Sequence, residues 1–593
     1  MRILLTFSLF LVIFTSCKQA EEEEPKMNGS EALAALLDEY QDEQYELYPW
    51  AATFAGDNRY NNLLPNFYSQ EFKQREIDYY SKYKEAIEAI DDADLNENEI
   101  LSKKIMIWEC ERNLEGKEFP GELMPVDQFS SPLLMFAQLG SGQSAQPFKT
   151  VKDYNDWLER LDAMMPIIDT AMANMDRGIA QGYVIPKPLT MKVLPQIKDL
   201  ISENAESSIF YGPIRLFPED MSQGAKDSLT TAYNAMITDK INPKMTEFLN
   251  YIEGTYLPAS RSSSGISDIT GGAEQYNRLI KLYTTTDMTA DEIHQLGLDE
   301  VARIRSEMEK VKAQVGFEGS LQEFFDHVRT KKELMPFTDP QQVIDNFNAI
   351  HDKMKPQIAK LFDMVPKTEF EVRRTEAFRE ASASAQYNPG SLDGTRPGIF
   401  YVPIPDVTSY NIYSDEDLFL HEAIPGHHFQ VSLTQENDNL PRFRKTLWYS
   451  AYGEGWALYT ESLGKELGLY DDPYQYFGML SAEMHRAIRL VVDTGIHTKG
   501  WTREQAIQYS LENEAESEAS IIAEIERYMA IPGQALSYKI GQLKILELRA
   551  KAEAELGDNF DIKSFHNEIL DSGCLPLALL EEKIDEWINS LKP

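Results

Sequence analysis

Cysteine is nearly absent, with three residues in 593, at positions 17, 110 and 574. So sparse a supply excludes a scaffold built on disulfides and leaves room for at most one bridge, between Cys110 and Cys574. Positive charge is also in short supply. The chain carries 57 Lys and Arg against 96 Asp and Glu, a net charge of −39. That excess would repel phosphates over most of the surface, which argues against a nucleic-acid partner. Past the first residues no apolar run is long enough to span a bilayer. No repeat period stands out, and no region is rich in strand patterns. The 42% of hydrophobic residues is nevertheless enough to bury a large core.

The one apolar run that does occur, Ile3 to Phe14, follows Arg2 and precedes Thr15, Ser16 and Cys17. A basic start, a short apolar core and small residues before a Cys make a secretion signal. The stretch FTSC resembles the lipobox of bacterial lipoproteins, in which the Cys carries the lipid after cleavage. The expectation is a signal peptide over 1–16 and a lipid anchor on Cys17 that holds the protein to the outer membrane of a bacterial envelope, on its periplasmic or surface face. The polar stretch 17–30 reads as a flexible tether, and residues 31–593 as the folded domain.

Within that domain the punctuation is helical. Thr289-Ala290-Asp291-Glu292 is a capping-box pattern, followed by Ile293, Val301, Ile304, Met308 and Val311 at helical spacing and by Gly316. Thr502-Arg503-Glu504-Gln505 opens another helix, with Ala506, Ile507 and Leu511 behind it. The exception is Arg396 to Pro403, where aromatic and β-branched residues between Pro and Gly breakers read as a strand. The expected fold is mainly α. It is one large helical body, divisible into two lobes around a cleft with a boundary near residues 260–272, and with a short strand beside the active-site helix.

Histidine is scarce, at nine residues, yet five of the nine fall between 421 and 497. The stretch HEAIPGHH, residues 421–428, sets imidazoles beside a carboxylate, which is a metal-site composition. In an unbroken helix the ligands i and i+4 lie about 40° apart, one turn up. His427, at i+6, would face roughly the opposite side. His428, at i+7, would sit about 10.5 Å along the axis. Pro425 changes this, because its ring would clash with the carbonyl of His421 and open the turn. Gly426 permits unusual dihedrals as the chain recloses. A widened turn can therefore bring His427 to the place of an i+4 ligand, with His428 as the competing choice. A third ligand is expected at Glu454, a carboxylate in the otherwise apolar helical stretch GEGWALYTE; a buried ion pair is the alternative.

The blocks HEAIPGHHFQ, EGWALYTESL, HRAIRLVVDTGIHTKGWTREQAI and RYMAIPGQALSYKIG are similar to those of the bacterial domain of unknown function 885 family, and the likeness runs from about residue 31 to the C-terminus. That family resembles the helical zinc peptidases: thimet oligopeptidase, angiotensin-converting enzyme and the bacterial zinc carboxypeptidases. The resemblance implies a strand at Ile399–Val402, zinc ligands at His421, His427 and Glu454, and a general base at Glu422. It also implies a late Tyr at Tyr538, which would donate to the oxyanion or else simply pack in the core. The departure from the pattern is the insertion Pro425-Gly426.

These residues lead to the expectation of a Zn2+-dependent metallopeptidase, with peptide as substrate and Glu422 as the base that activates water. His428 and Arg527 are expected to bind substrate, although Arg527 could instead pair with Glu524. Asp493 and His497, four apart in VVDTGIH, are expected to form a structural hydrogen-bonded pair, with orienting a ligand or substrate as the alternative. The competing classes are a zinc amidohydrolase acting on non-peptide substrates and a non-catalytic binding lipoprotein.

Overall fold

The computed structural model describes residues 28–376, 380, 383–390 and 396–592. Cys17, the signal segment and the tether up to residue 27 lie outside them. Helices begin where the caps were read. Thr289 caps the helix α1, Ala290–Gln314, by a full capping box with Glu292, and Ile293, Val301, Ile304, Met308 and Val311 are all on its buried face. Past its end, Gly316 takes φ 72°, where a side chain would be strained. Thr502 and Gln505 likewise cap Arg503–Asn513.

The strand pattern is also found, as β3, Gly398–Val402. It is the central strand of a three-stranded sheet. Phe370–Arg374 (β1) pairs with it in parallel and Gln386–Asn388 (β2) antiparallel, with Tyr387 opposite Phe400. All five β3 residues are buried. The helix α2, Pro340–Leu361, covers one face, its Phe347 ring meeting Phe400 edge-on at 5.1 Å. Burial on both faces explains why β3 lacks the alternation of a half-exposed strand.

Behind the sheet follow α3 (Asp415–Glu422), α4 (His427–Glu436), α5 (Ser450–Ser462), α6 (Pro473–Thr498), α7 (Glu518–Ala530) and α8 (Ser537–Leu556). The apolar core falls into two clusters. One joins residues 33–119 to the sheet, α5 and α8; the other joins 126–256 to α1 and much of α6. Each cluster draws on chain from both sides of residues 260–272, so the expected lobe boundary there does not divide the core. Leu490 of α6 packs in one cluster and its neighbour Val491 in the other, so α6, like α1 with Ile293 and Val301, is shared between them. No helix among the described residues is long and apolar enough to cross a membrane. Cys110 and Cys574 are separate buried thiols, each pushed up to about 12 by burial, and form no bridge.

Candidate metal centre

The HEAIPGHH segment folds as two helix ends joined by a four-residue break. It goes further than the widened turn expected from the sequence, since α3 stops at Glu422 and α4 starts at His427. Pro425 has no N–H to offer the His421 carbonyl, so the ladder fails there. The exposed backbone groups find other partners. Thr460 Oγ1 of α5 donates to the Leu420 carbonyl at 3.0 Å, and the Trp456 indole donates to the Pro425 carbonyl at 2.9 Å. Both donors lie on α5, so the break is pinned to the helix that carries Glu454. Gly426 is required by close approach: a Cβ there would lie 2.0 Å from the His421 carbonyl oxygen and 2.2 Å from that of Leu420.

The break brings three side chains together. One ligand atom from each of His421, His427 and Glu454 lies within 4.8 Å of the others. Glu454 Oε2 is 3.6 Å from His421 Nε2 and 3.4 Å from His427 Nε2. A tetrahedral zinc with bonds of roughly 2.0–2.1 Å needs ligand atoms about 3.3 Å apart. The donor set, two imidazoles and a carboxylate, therefore suits zinc in chemistry, and both spacings to Glu454 are close to what zinc needs. His427 is the histidine delivered to this cluster. Burial opposes charge on His421, but Glu454 and Glu461 outweigh it and hold this imidazole well above its usual range. Glu454 is only half-buried; desolvation raises its pKa, but hydrogen bonds from His421 and His427 hold its carboxyl well below the usual carboxylate range.

Glu422 lies beside the cluster. Its carboxylate accepts from the backbone N–H of Tyr387 on β2 at 2.7 Å. Burial raises its pKa, opposed by the charges of His421 and His427. The sheet thus serves the site through its edge strand β2, whereas the sequence pointed only to β3.

His428, expected to bind substrate, is instead buried against the sheet and turned away from the cluster. Consecutive helical residues point about 100° apart, so while His427 faces the cluster His428 faces the sheet. It is 2% exposed, with Nδ1 3.1 Å from the Tyr387 hydroxyl and its ring 5.0 Å from that of Phe370. Burial lowers its pKa to about 4 and keeps it neutral. Gly398 leaves room for it, since a Cβ there would stand 2.6 Å from Nδ1.

Tyr538 and Arg527 lie together one step away. Helices α5 and α8 cross at Gly455 and Gly541, where a Cβ on Gly455 would come within 2.5 Å of Gly541 Cα. The crossing sets Ser450 Oγ 2.7 Å from Ser537 Oγ, and Tyr538 is the next residue on α8. Arg527 donates to the Tyr538 hydroxyl at 3.4 Å and to Gln534 at 2.8 Å, and also meets Glu524 at 3.4 Å. Asp493 and His497 are structural but do not bond to each other. Asp493 accepts from the Tyr276 hydroxyl and the Gly533 N–H, while His497 links the Ile266 N–H to the Tyr528 carbonyl.

Three contributors went unassigned in the sequence. Glu461 accepts from His421 Nδ1 at 2.7 Å, which fixes the ring and leaves Nε2 for a metal. Asp417 faces Glu461, and two carboxylates can share that contact only if one holds a proton; burial and Glu461 keep Asp417 well above its usual range. Helix period carried the signal for both. Glu461 is two turns from Glu454, and Asp417 one turn before His421. Trp448 is the third; its indole is 47% exposed and lies 5.7 Å from the His427 ring.

The profile of the bacterial family of unknown function DUF885 matches residues 49–584, and the chain belongs to that family. No curated protein matches it. Among solved structures it is similar to a candidate lipoprotein from Colwellia psychrerythraea, with 30% identity, a TM-score of 0.87 and coverage of 95% of this chain and 100% of that one. It is also similar to a candidate lipoprotein of unknown function from Shewanella oneidensis, with 18% identity, a TM-score of 0.75 and coverage of 93% and 99%. At that identity the second likeness speaks for the fold alone.

Proposed function

We propose that the chain is a zinc-dependent peptidase held in the bacterial envelope by a lipid on Cys17. The observation that supports the enzymatic reading is the meeting of His421, His427 and Glu454 within 4.8 Å, with the Glu422 carboxyl held beside them by the Tyr387 N–H. Zinc held by these three residues would supply Lewis acidity to the scissile carbonyl and make a water easier to deprotonate. Glu422 takes a proton from the attacking water as the new C–O bond forms, then gives it to the leaving amine as the C–N bond breaks. The raised pKa of Glu422 suits a group that must both accept and return a proton. Tyr538, whose hydroxyl already accepts from Arg527, is free to donate its own hydrogen to the carbonyl oxygen as negative charge develops. The anchor is supported by the FTSC stretch and by the Colwellia neighbour described as a candidate lipoprotein.

The test is metal analysis of the purified protein together with digestion of a broad peptide library, with and without a chelator. Stoichiometric zinc and chelator-sensitive cleavage are expected. A protein that binds zinc and cleaves nothing in the library refutes the peptidase reading.

A further inference from the structure

A second polar cluster lies beyond Tyr538, and its charges do not balance. Arg489 of α6 is 5% exposed. Its Nε donates to the Tyr528 hydroxyl at 3.0 Å, and its Nη2 to Glu524 at 2.8 Å. The guanidinium lies over the Tyr538 ring, 4.5 Å from the ring centre. Nη1, the remaining nitrogen, is buried and meets no acceptor among the described residues. Arg527 leans on the same Glu524 carboxylate, at 3.4 Å. Two guanidinium groups therefore share one carboxylate, while nearby His485 is already occupied by Glu514.

A buried guanidinium nitrogen without an acceptor is costly, and a local excess of cation is out of character in a chain of net charge −39. Arg527 and Tyr538 are only partly buried, so the cluster opens toward solvent on their side. The same side leads to the candidate metal centre. Gln534, which Arg527 holds, reaches Ser450 Oγ at 3.5 Å, and Ser450 precedes Glu454 by four residues, roughly 6 Å along α5.

We propose that Arg489 and Arg527 form a subsite for a substrate carboxylate, and that it receives the C-terminal carboxylate of a peptide cut close to its end. The inference rests on the peptidase reading above for its substrate, but the carboxylate site can be tested without turnover. An acidic side chain near the end of the substrate offers the same chemistry, so the experiment must tell the two sources apart.

The probes are one short, N-blocked, neutral peptide prepared as the free acid, as the C-terminal amide, and as an amide with Glu in the last position. Binding to the full-length zinc-loaded Glu422→Gln protein is measured by calorimetry, and cleavage by the unchanged protein is followed in parallel. The free acid is expected to bind about 10- to 100-fold tighter than the amide, as a charge-assisted hydrogen bond allows. In Arg527→Met and Arg489→Met this preference should shrink to a few fold, while affinity for the plain amide stays near its starting value. If only the Glu-containing amide gains affinity, the subsite stands and its ligand is an acidic side chain. Equal binding of all three peptides by the unsubstituted arginine cluster overturns the proposal, whether or not the arginine variants fold. Cleavage without any preference leaves the peptidase reading intact and removes this one. A carboxylate preference in binding with no cleavage does the reverse.

Discussion

Replacing Gly426 with Ala tests the helix break directly. The added Cβ would stand 2.0 Å from the His421 carbonyl oxygen and 2.2 Å from that of Leu420, where ordinary contact begins at 3.4 Å. Both obstacles are backbone atoms, pinned in part by Thr460, so no flexible side chain can swing aside. The segment must shift by roughly 1 Å or more in an interior packed to crystal-like density. That shift moves His421 relative to His427, the very pair whose separation from Glu454 Oε2 is 3.6 and 3.4 Å. Even disturbing the partners that merely orient a ligand costs 10- to 100-fold in metal affinity, so displacing a ligand should cost at least about 100-fold, near 2.7 kcal/mol. Zinc affinity would be measured by competition with a chromophoric chelator. The increase in melting temperature on adding zinc would be compared between the two proteins, which separates lost metal binding from lost apo stability. A folded Gly426→Ala protein with unchanged zinc affinity would refute the account of why the motif contains Pro-Gly.

Glu422→Gln should keep zinc and fold yet lose several orders of magnitude in peptide turnover, whereas Glu454→Gln should lose zinc first; metal content and cleavage rate, scored together, check both. Glu461→Gln should weaken zinc binding about tenfold by loosening the His421 ring, and unchanged affinity would deny it that role. Asp493→Asn should alter how stability depends on pH. Burial raises the Asp493 pKa from 3.8 to about 7, against the hydrogen bonds from Tyr276 and Gly533. The folded protein therefore binds this proton more tightly than the unfolded chain, so the stabilising effect is full below pH 3.8 and is lost as pH rises to about 7. The Asn variant should gain on wild type across that window, by up to about 4 kcal/mol. Parallel melting curves from pH 4 to 7 would show the prediction wrong.

Much of the centre was legible because it is local. His421, Glu422 and His427 sit within seven residues, and the Pro between them has one mechanical meaning in a helix. Caps at Thr289 and Thr502 were equally readable, since a capping box spans four residues. What could not be read depends on distant pieces of chain. Tyr387 reaches Glu422 from 35 residues away through a three-residue strand too short to leave a pattern. Arg489 acquires its meaning only when α7 and α8 set Glu524, Tyr528 and Tyr538 around it. His428 shows the opposite failure. Its place next to a ligand suggested a role at the site, but one step along a helix is enough to turn it to the other side.

The distribution of burial around the three candidate ligands bears on what kind of metal centre they would form. Behind His421 the carboxylates are sealed, with Glu461 1% and Asp417 3% exposed. On the other side the Glu454 side chain keeps 15% of its surface, and the Trp448 indole, beside His427, keeps 47%. A structural zinc site closes all four positions with protein atoms, usually thiolates, and has no use for an accessible face. Here the three candidate ligands converge from three helices, α3, α4 and α5, the more exposed side lies toward Glu454 and Trp448, and the Glu422 carboxyl stands beside them. That asymmetry accords with the proposed peptidase reading, on which the exposed Trp448, 5.7 Å from the His427 ring, would be the first surface that a substrate approaching His427 touches.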